Sequence, residues 1–278
     1  MAAKIKILVA ADMLFLLLLA LSGSSTGIIS EVFYILAFLA PVGMMLSYIY
    51  KPQSNSREAE VKARGDMLSD LKRDFSLTKS TLKLTLPLIF PSILITLLTS
   101  LLTSFVLEAL GGQNTLDVGT SFGKALITYA VVPAILEELL FRLAPVKLLK
   151  ENKRTALLLS AVMFAFAHAN LFQIPYALLA GFIFSALYLV TGSILPSMTI
   201  HFLNNLISLL SIFGFGDTLI IILLSSLAAL SIPLIILMRR SYKAALKQTF
   251  SGEKAVFSYY PLFFIITSLI LAISALFA

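Results

Sequence analysis

The sequence predicts an all-α protein, a polytopic transmembrane helical bundle with eight or nine spans and a polar intramembrane cavity. Three observations predict it. The 278-residue chain is 59% hydrophobic and 13% charged, with a mean hydropathy of +0.98; an ordinary soluble domain is about 45–50% apolar and about 25% charged. Apolar runs recur along it at the length of a bilayer crossing, roughly 20 residues each. The few ionisable residues inside those runs fall at helical spacings. This composition excludes a soluble enzyme, a disordered chain and a nucleic-acid binder. The absence of cysteine excludes disulfide and thiol chemistry, and the absence of tryptophan leaves nine tyrosines and 21 phenylalanines for the interfacial belt.

The apolar runs lie at about 7–22, 32–50, 84–107, 121–142, 155–171, 174–191, 196–212, 217–238 and 260–277. The first, preceded by Lys4 and Lys6, has the look of a signal peptide. Asp12 inside it and the many later spans favour an uncleaved first helix. Between the second and third runs, Leu68, Leu71 and Phe75 recur at three- and four-residue spacing among Asp70, Lys72, Arg73 and Asp74. That pattern predicts a short amphipathic helix on the cytosolic leaflet, with a solvated charged linker as the alternative. Three regions follow: N-terminal spans with this loop (1–120), a core carrying the polar groups (121–212) and C-terminal spans (213–278).

Charge orients the bundle. The 21 Lys+Arg outnumber the 14 Asp+Glu and leave a formal +7. Two basic residues precede the first run, eight lie in the second loop, five between Arg142 and Arg154 and five between Arg239 and Lys254. The other loops have none, and Lys124 alone sits near the start of the fourth run. With nine spans every basic loop falls on one side, so the N-terminus is expected in the cytosol.

An ionisable side chain in hydrocarbon is costly unless paired, and each is a functional candidate. Here they are Asp12, Lys124, Glu137, Glu138, Arg142, His168 and His201, with Asn170, Asn204 and Asn205 as neutral companions. For Asp12 and Lys124 the expectation is snorkelling or pairing with a neighbour. For Asn170 and Asn204 it is helix–helix hydrogen bonding. Glu138 and Arg142 stand i,i+4, the favourable order for a helical ion pair. Glu137 lies about 100° further round and is free to face another group. Phe164 and His168 repeat the i,i+4 spacing on the fifth run, as do His201 and Asn205 on the seventh.

The depths of these groups are compatible with one site. His168 lies roughly 20 Å and Asn205 roughly 14 Å from the basic-loop end at 1.5 Å per residue. Glu137 lies about 8 Å deep if its helix stops at Arg142 and about 18 Å if it continues to Leu149. Pro133, one turn before Glu137, is expected to kink the helix.

A glutamate beside neutral imidazoles is suited to act as general base on water, and histidine and amide donors to stabilise an oxyanion. If a metal binds instead, Glu137, His168 and His201 would be its ligands, with Zn²⁺ holding water at the open position. Both readings lead to amide hydrolysis in or beside the membrane. The H-E-x-x-H spacing of soluble zinc proteases is absent.

Three segments carry a resemblance. Glu137-Glu138-Leu139-Leu140-Phe141-Arg142 matches E-E-x-x-x-R, Phe164 to His168 matches F-x-x-x-H, and His201 to Asn205 matches H-x-x-x-N. In this order on successive apolar segments, they resemble the motifs of the CPBP family: type II CAAX prenyl endopeptidases and the bacteriocin-processing or immunity proteins also called Abi proteins. The resemblance covers about residues 121–212. It implies an intramembrane endopeptidase, multi-pass, with a site open to the cytosol. Glu137 would activate water with help from His168, with Glu138 also in the site. His201 and Asn205 would hold the oxyanion, and Arg142 would pair structurally with a glutamate. Phe164 is carried over as motif support. The family has a metalloprotease and a metal-free account, and no firm cofactor follows. The implied partners are the lipid bilayer and a membrane-associated or lipidated protein or peptide, prenylated in eukaryotic members. Many members follow the arginine with glycine, whereas this chain has Leu143, Ala144 and Pro145.

Two other protease signatures lack their context. Gly23-Ser24-Ser25-Thr26-Gly27 fits G-x-S-x-G in a Ser/Gly linker without strand, turn and helix. Gly214-Phe215-Gly216-Asp217 resembles the G-x-G-D of presenilin-like aspartyl proteases, yet Asp12, its sole partner candidate, lies near the other side of the membrane. Two alternatives of other classes are a proton-coupled transporter, for which no inverted repeat shows, and a non-catalytic immunity or scaffold protein. Geometry separates these readings. A protease needs Glu137 and His168 within reach of one water, with His201 and Asn205 across a cavity. A scaffold would pair Glu137 with Arg142 and fill the cavity.

Overall fold

The structure, a computed structural model, describes residues 1–112, 119–252, 254, 256 and 261–276. All regular structure among them is helical. Six helices are long and apolar enough to cross a membrane: α1 (Ala2–Gly23), α2 (Gly27–Ile49), α4 (Lys79–Ala109), α7 (Ile174–Thr191), α8 (Leu195–Ile212) and most of α9 (Asp217–Leu237). Between them lie the loop helix α3 (Arg57–Asp74), the core helix α5 (122–148) and the shorter α6 (Lys153–Ala167). The amphipathic α10 (Arg239–Phe250) and α11 (Pro261–Leu276) follow α9. Within the described residues, each apolar run lies mostly on one of these helices.

Small polar residues let the helices approach closely, as expected where lipid offers no hydrophobic drive for association. Ser22 and Ser30 exchange hydroxyl-to-carbonyl bonds of 2.8 and 2.9 Å and close the α1–α2 turn. Residues 24–26 form that turn, so the G-x-S-x-G segment has no nucleophile elbow. Ser160 on α6 donates to the Phe141 carbonyl of α5 and lies 2.8 Å from Ser185 on α7. Gly181 of α7 meets α6 so closely that an added Cβ would stand 2.9 Å from the Ala161 Cα. Gly214 and Gly216, with φ of +80° and +83°, make the tight α8–α9 turn.

Pro133 does not break α5. A π-turn over Leu126–Val131 precedes it and a second over Leu139–Leu143 follows the glutamates. The wider i→i+5 turns absorb the missing proline N–H within a continuous helix, a device that recurs at functional sites. Leu143, Ala144 and Pro145 continue the helix to Leu148, where a glycine would have weakened it. Glu137 is therefore eleven residues from that end, about 16 Å deep.

The loop after α2 is a full helix, beginning at Arg57, where Ser56 accepts the Ala59 N–H as N-cap. Its predicted apolar stripe is split. Leu71 packs toward Leu143, Tyr188, Ile194 and Met198, while Leu68 and Phe75 are exposed. The inward face carries carboxylates instead. Asp74, 3% exposed, lies 2.6 Å from Lys147 of α5 and accepts the Tyr188 hydroxyl at 3.1 Å. Asp70 accepts the Tyr50 hydroxyl at 2.6 Å, is 2.9 Å from Arg73 and 3.5 Å from Lys147. Partial burial pushes the Asp70 carboxyl up, but Tyr50, Lys147 and Arg73 outweigh it and hold it below its ordinary value. The same burial and hydrogen bond push the Tyr50 phenol well above its usual range.

Asp12 departs from the snorkelling or pairing expected of it. It is fully buried, and among the described residues neither carboxyl oxygen has a hydrogen-bond partner. Lys124 is exposed near the start of α5, the position from which a lysine reaches an interface.

Candidate active site

α5, α6, α7 and α8 bring the polar stripes together. Glu137 and Glu138 sit between the two π-turns of α5 and diverge. Glu138 points into the protein: it is fully buried, its Oε1 is 3.3 Å from Arg142 Nη1 and 2.9 Å from His201 Nδ1. Glu137 keeps 18% of its side chain exposed, and its Oε2 stands 3.5 Å from His201 Nε2. The two carboxylates thus bracket one imidazole. With Glu138 accepting from Nδ1–H, the other ring nitrogen is turned toward Glu137, an assignment that follows from the carboxylate partner.

Arg142 is fully buried. Its guanidinium carbon lies 3.8 Å from the centroid of the Phe164 ring and 5.3 Å from that of Phe184. A desolvated cation–π contact of this kind contributes about 2 kcal/mol. Phe184 in turn stacks on His201 at 5.2 Å and 27°, and Phe164 meets His168 edge-on at 4.8 Å and 89°. The aromatic pair therefore holds the arginine and both histidine rings in one packed unit. Phe164 was legible from the sequence; Phe184 was not, because its spacing is that of any apolar helix face.

His168 occupies the C-cap of α6 rather than its interior. The helix ends at Ala167 because Ala169 takes a left-handed conformation (φ +45°) and Asn170 accepts the Phe172 N–H at 2.9 Å. Asn170 thus serves a local turn, not the helix–helix bond expected of it. Asn204 does make such a bond, accepting the Thr96 hydroxyl of α4 at 2.7 Å. The His168 Nδ1–H donates to the Phe164 carbonyl at 2.8 Å, which leaves Nε2 as the lone-pair nitrogen.

Glu137, His168, His201, Asn204 and Asn205 line one cavity of about 260 Å³. Glu138 and Arg142 lie behind its wall. Tyr34, Tyr129 and Tyr176 also line it. Tyr129 was within reach of sequence reasoning, since Tyr129, Pro133 and Glu137 are one turn apart on a single helix face. At the closed end, Phe184 and His201 are 1% and 4% exposed. His201 is six residues into α8, roughly 9 Å from its start beside the basic loops. At the opposite end the lining includes Gln173, in the α6–α7 loop, and Ile212, the last residue of α8. Exposure rises in that direction, to 43% at Ile212 and 47% at Tyr129.

Among the described residues, no group of three His, Asp or Glu side chains converges as a metal site. Glu137, His168 and His201, the ligand set considered for Zn²⁺, therefore do not form such a group.

An integral membrane protein of packed helices, holding a carboxylate–imidazole–carboxylate cluster on a cavity, is the class this architecture defines. Residues 120–207, less than half of the chain, match the family described as type II CAAX prenyl endopeptidase Rce1-like, a match that implies a peptidase. No curated protein and no solved structure matches the chain.

Proposed function

We propose that this protein is an intramembrane endopeptidase that hydrolyses a peptide bond of a membrane-associated, CAAX-type prenylated substrate through a water activated by Glu137. One observation supports the reading above the others: Glu137 faces the cavity while Glu138, not Glu137, takes up the arginine. A carboxylate spent on Arg142 would be a poor base; a solvent-reached carboxylate opposite an imidazole is a good one.

In this mechanism, water sits between Glu137 and the Nε2 of His168. Glu137 takes one proton as the oxygen attacks the carbonyl carbon, and the C=O electrons move to the oxyanion. His201 Nε2–H and the Asn205 amide donate to that oxyanion. Glu138 positions His201 by accepting Nδ1–H while Nε2 carries the second proton. The proton on Glu137 then passes to the leaving nitrogen as the C–N bond breaks.

The proposed topology has nine crossings, adding α5, α6 and α11 to the six longer helices, and places the N-terminus and all basic loops in the cytosol. The cavity then opens toward the membrane half away from those loops. The resemblance implies a cytosol-facing site instead; the outward reading is supported by Gln173 and Ile212 on the lining, at the helix ends away from the basic loops.

The substrate class is tested by offering purified protein a farnesylated CAAX peptide and its unprenylated twin. Cleavage confined to, or strongly favouring, the farnesylated peptide supports the reading. Equal cleavage of both removes prenylation from it, and no cleavage of either by folded protein removes this substrate class.

A further inference from the structure

A second and larger cavity, about 700 Å³, lies at the basic-loop end, between the last turns of α2, α5 and α7 and the inner face of α3. Its wall carries six cations, Lys51, Lys62, Arg73, Lys147, Lys150 and Lys153, against three carboxylates, Asp66, Asp70 and Asp74. Two of those carboxylates are already occupied: Lys147 takes Asp74 at 2.6 Å, and Arg73 takes Asp70 at 2.9 Å. Among the described residues, Lys51, Lys62 and Lys150 form no ion pair. The helix C-termini around the cavity add partial negative charge, about half a unit each before screening, which leaves the wall positive. Like charges held around a concavity with low-dielectric walls focus the field inward and favour an anion there.

We propose that this cavity binds a phosphate-bearing anion, and that an anionic phospholipid headgroup is its source. The cavity sits at the ends of membrane-crossing helices, at the level where headgroups lie, and basic pockets between such helices are suited to phosphorylated headgroups. Its volume accommodates a phosphate with its glycerol. Lys147 and the Asp70–Asp74 pair form the fixed floor, and Lys51, Lys62 and Lys150 supply the charge left over. Free phosphate is the other source of the same chemistry. The proposal concerns a site remote from Glu137 and is independent of the peptidase reading.

The test is thermal unfolding of the full chain in neutral detergent with short-chain phosphatidylglycerol, short-chain phosphatidylcholine, glycerol phosphate or inorganic phosphate. Lys62 and Lys150 are exposed, so a Lys62→Gln, Lys150→Gln double variant is expected to fold, and its ligand-free Tm checks this. Lys124→Gln, at the other end of α5, controls for overall charge. Phosphatidylglycerol is expected to raise the Tm of the wild type and of Lys124→Gln by several degrees and that of the double variant by less than half as much. An equal shift from glycerol phosphate or inorganic phosphate supports the site and assigns it to the soluble anion. An equal shift from phosphatidylcholine, a full shift in the double variant, or no shift with any phosphate-bearing probe overturns the proposal.

Discussion

Glu138 Oε1 lies 2.9 Å from His201 Nδ1, joining two buried side chains 63 residues apart. The same oxygen is 3.3 Å from Arg142. One carboxylate thus ties the EExxxR helix to the HxxxN helix while its neighbour, Glu137, is left to face the cavity. From this arrangement comes the first prediction. Arg142→Met strips a fully buried carboxylate of its cation and is expected to cost about 3–5 kcal/mol. Adding Glu138→Leu should return part of that loss, because a buried ion pair replaced by apolar groups is often neutral, while leaving the protein inactive. Thermal unfolding of the singles and the double measures the cycle; a double variant less stable than Arg142→Met contradicts it.

Gly181 supplies the second prediction. Its substitution by alanine sets a Cβ 2.9 Å from the Ala161 Cα and 3.1 Å from the Ala161 carbonyl oxygen, both backbone atoms. α6 and α7 must part, at about 1–3 kcal/mol of overpacking, and Phe164 and His168 move away from Phe184. Gly43→Ala, where nothing stands within 4 Å of the new Cβ, is expected instead to stabilise α2 by about 0.4–1 kcal/mol. Tm and peptide cleavage are compared in both variants, and only Gly181→Ala should lose both.

The third concerns pH. Because the Asp70 carboxyl is held below its ordinary value in the fold, its contribution is fully present above the unfolded value of about 3.9. It is lost as pH falls through the lower, folded value. α3 should therefore remain docked from neutrality to about pH 4 and loosen in stronger acid. Hydrogen exchange of α3 amides across that range reads the release, and Asp70→Asn should raise exchange already at neutral pH.

Orientation gives the fourth. The chain has no cysteine, so single substitutions report cleanly. In intact cells, an impermeant maleimide is expected to label Gln173→Cys, beside the cavity mouth, and to spare Ser69→Cys, on the basic-end cavity wall. The reverse pattern would put the Glu137 cavity on the cytosolic side.

Much of the helical framework was legible because apolar runs bounded by charged loops have few alternatives in a bilayer. The Glu138–Arg142 pairing followed from i,i+4 spacing. Three features were not legible. The π-turns around Pro133 leave no mark in hydrophobic periodicity. The end of α6 at Ala167 depends on a left-handed alanine, a conformation sequence rarely signals. The docking of Asp74 on Lys147 and Tyr188 is a contact across 73 and 114 residues, which an apparently surface-facing helix pattern concealed.

The central claim is that Glu137 is the base. The direct measurement is kcat/KM of Glu137→Gln on a peptide the wild type cuts, with Tm recorded beside it. The side chain keeps its size, so the Tm should hold. Removing a base of this kind lowers the rate about 10²–10⁴-fold, and that fall is the predicted result. Cleavage within a few-fold of wild type would contradict the account.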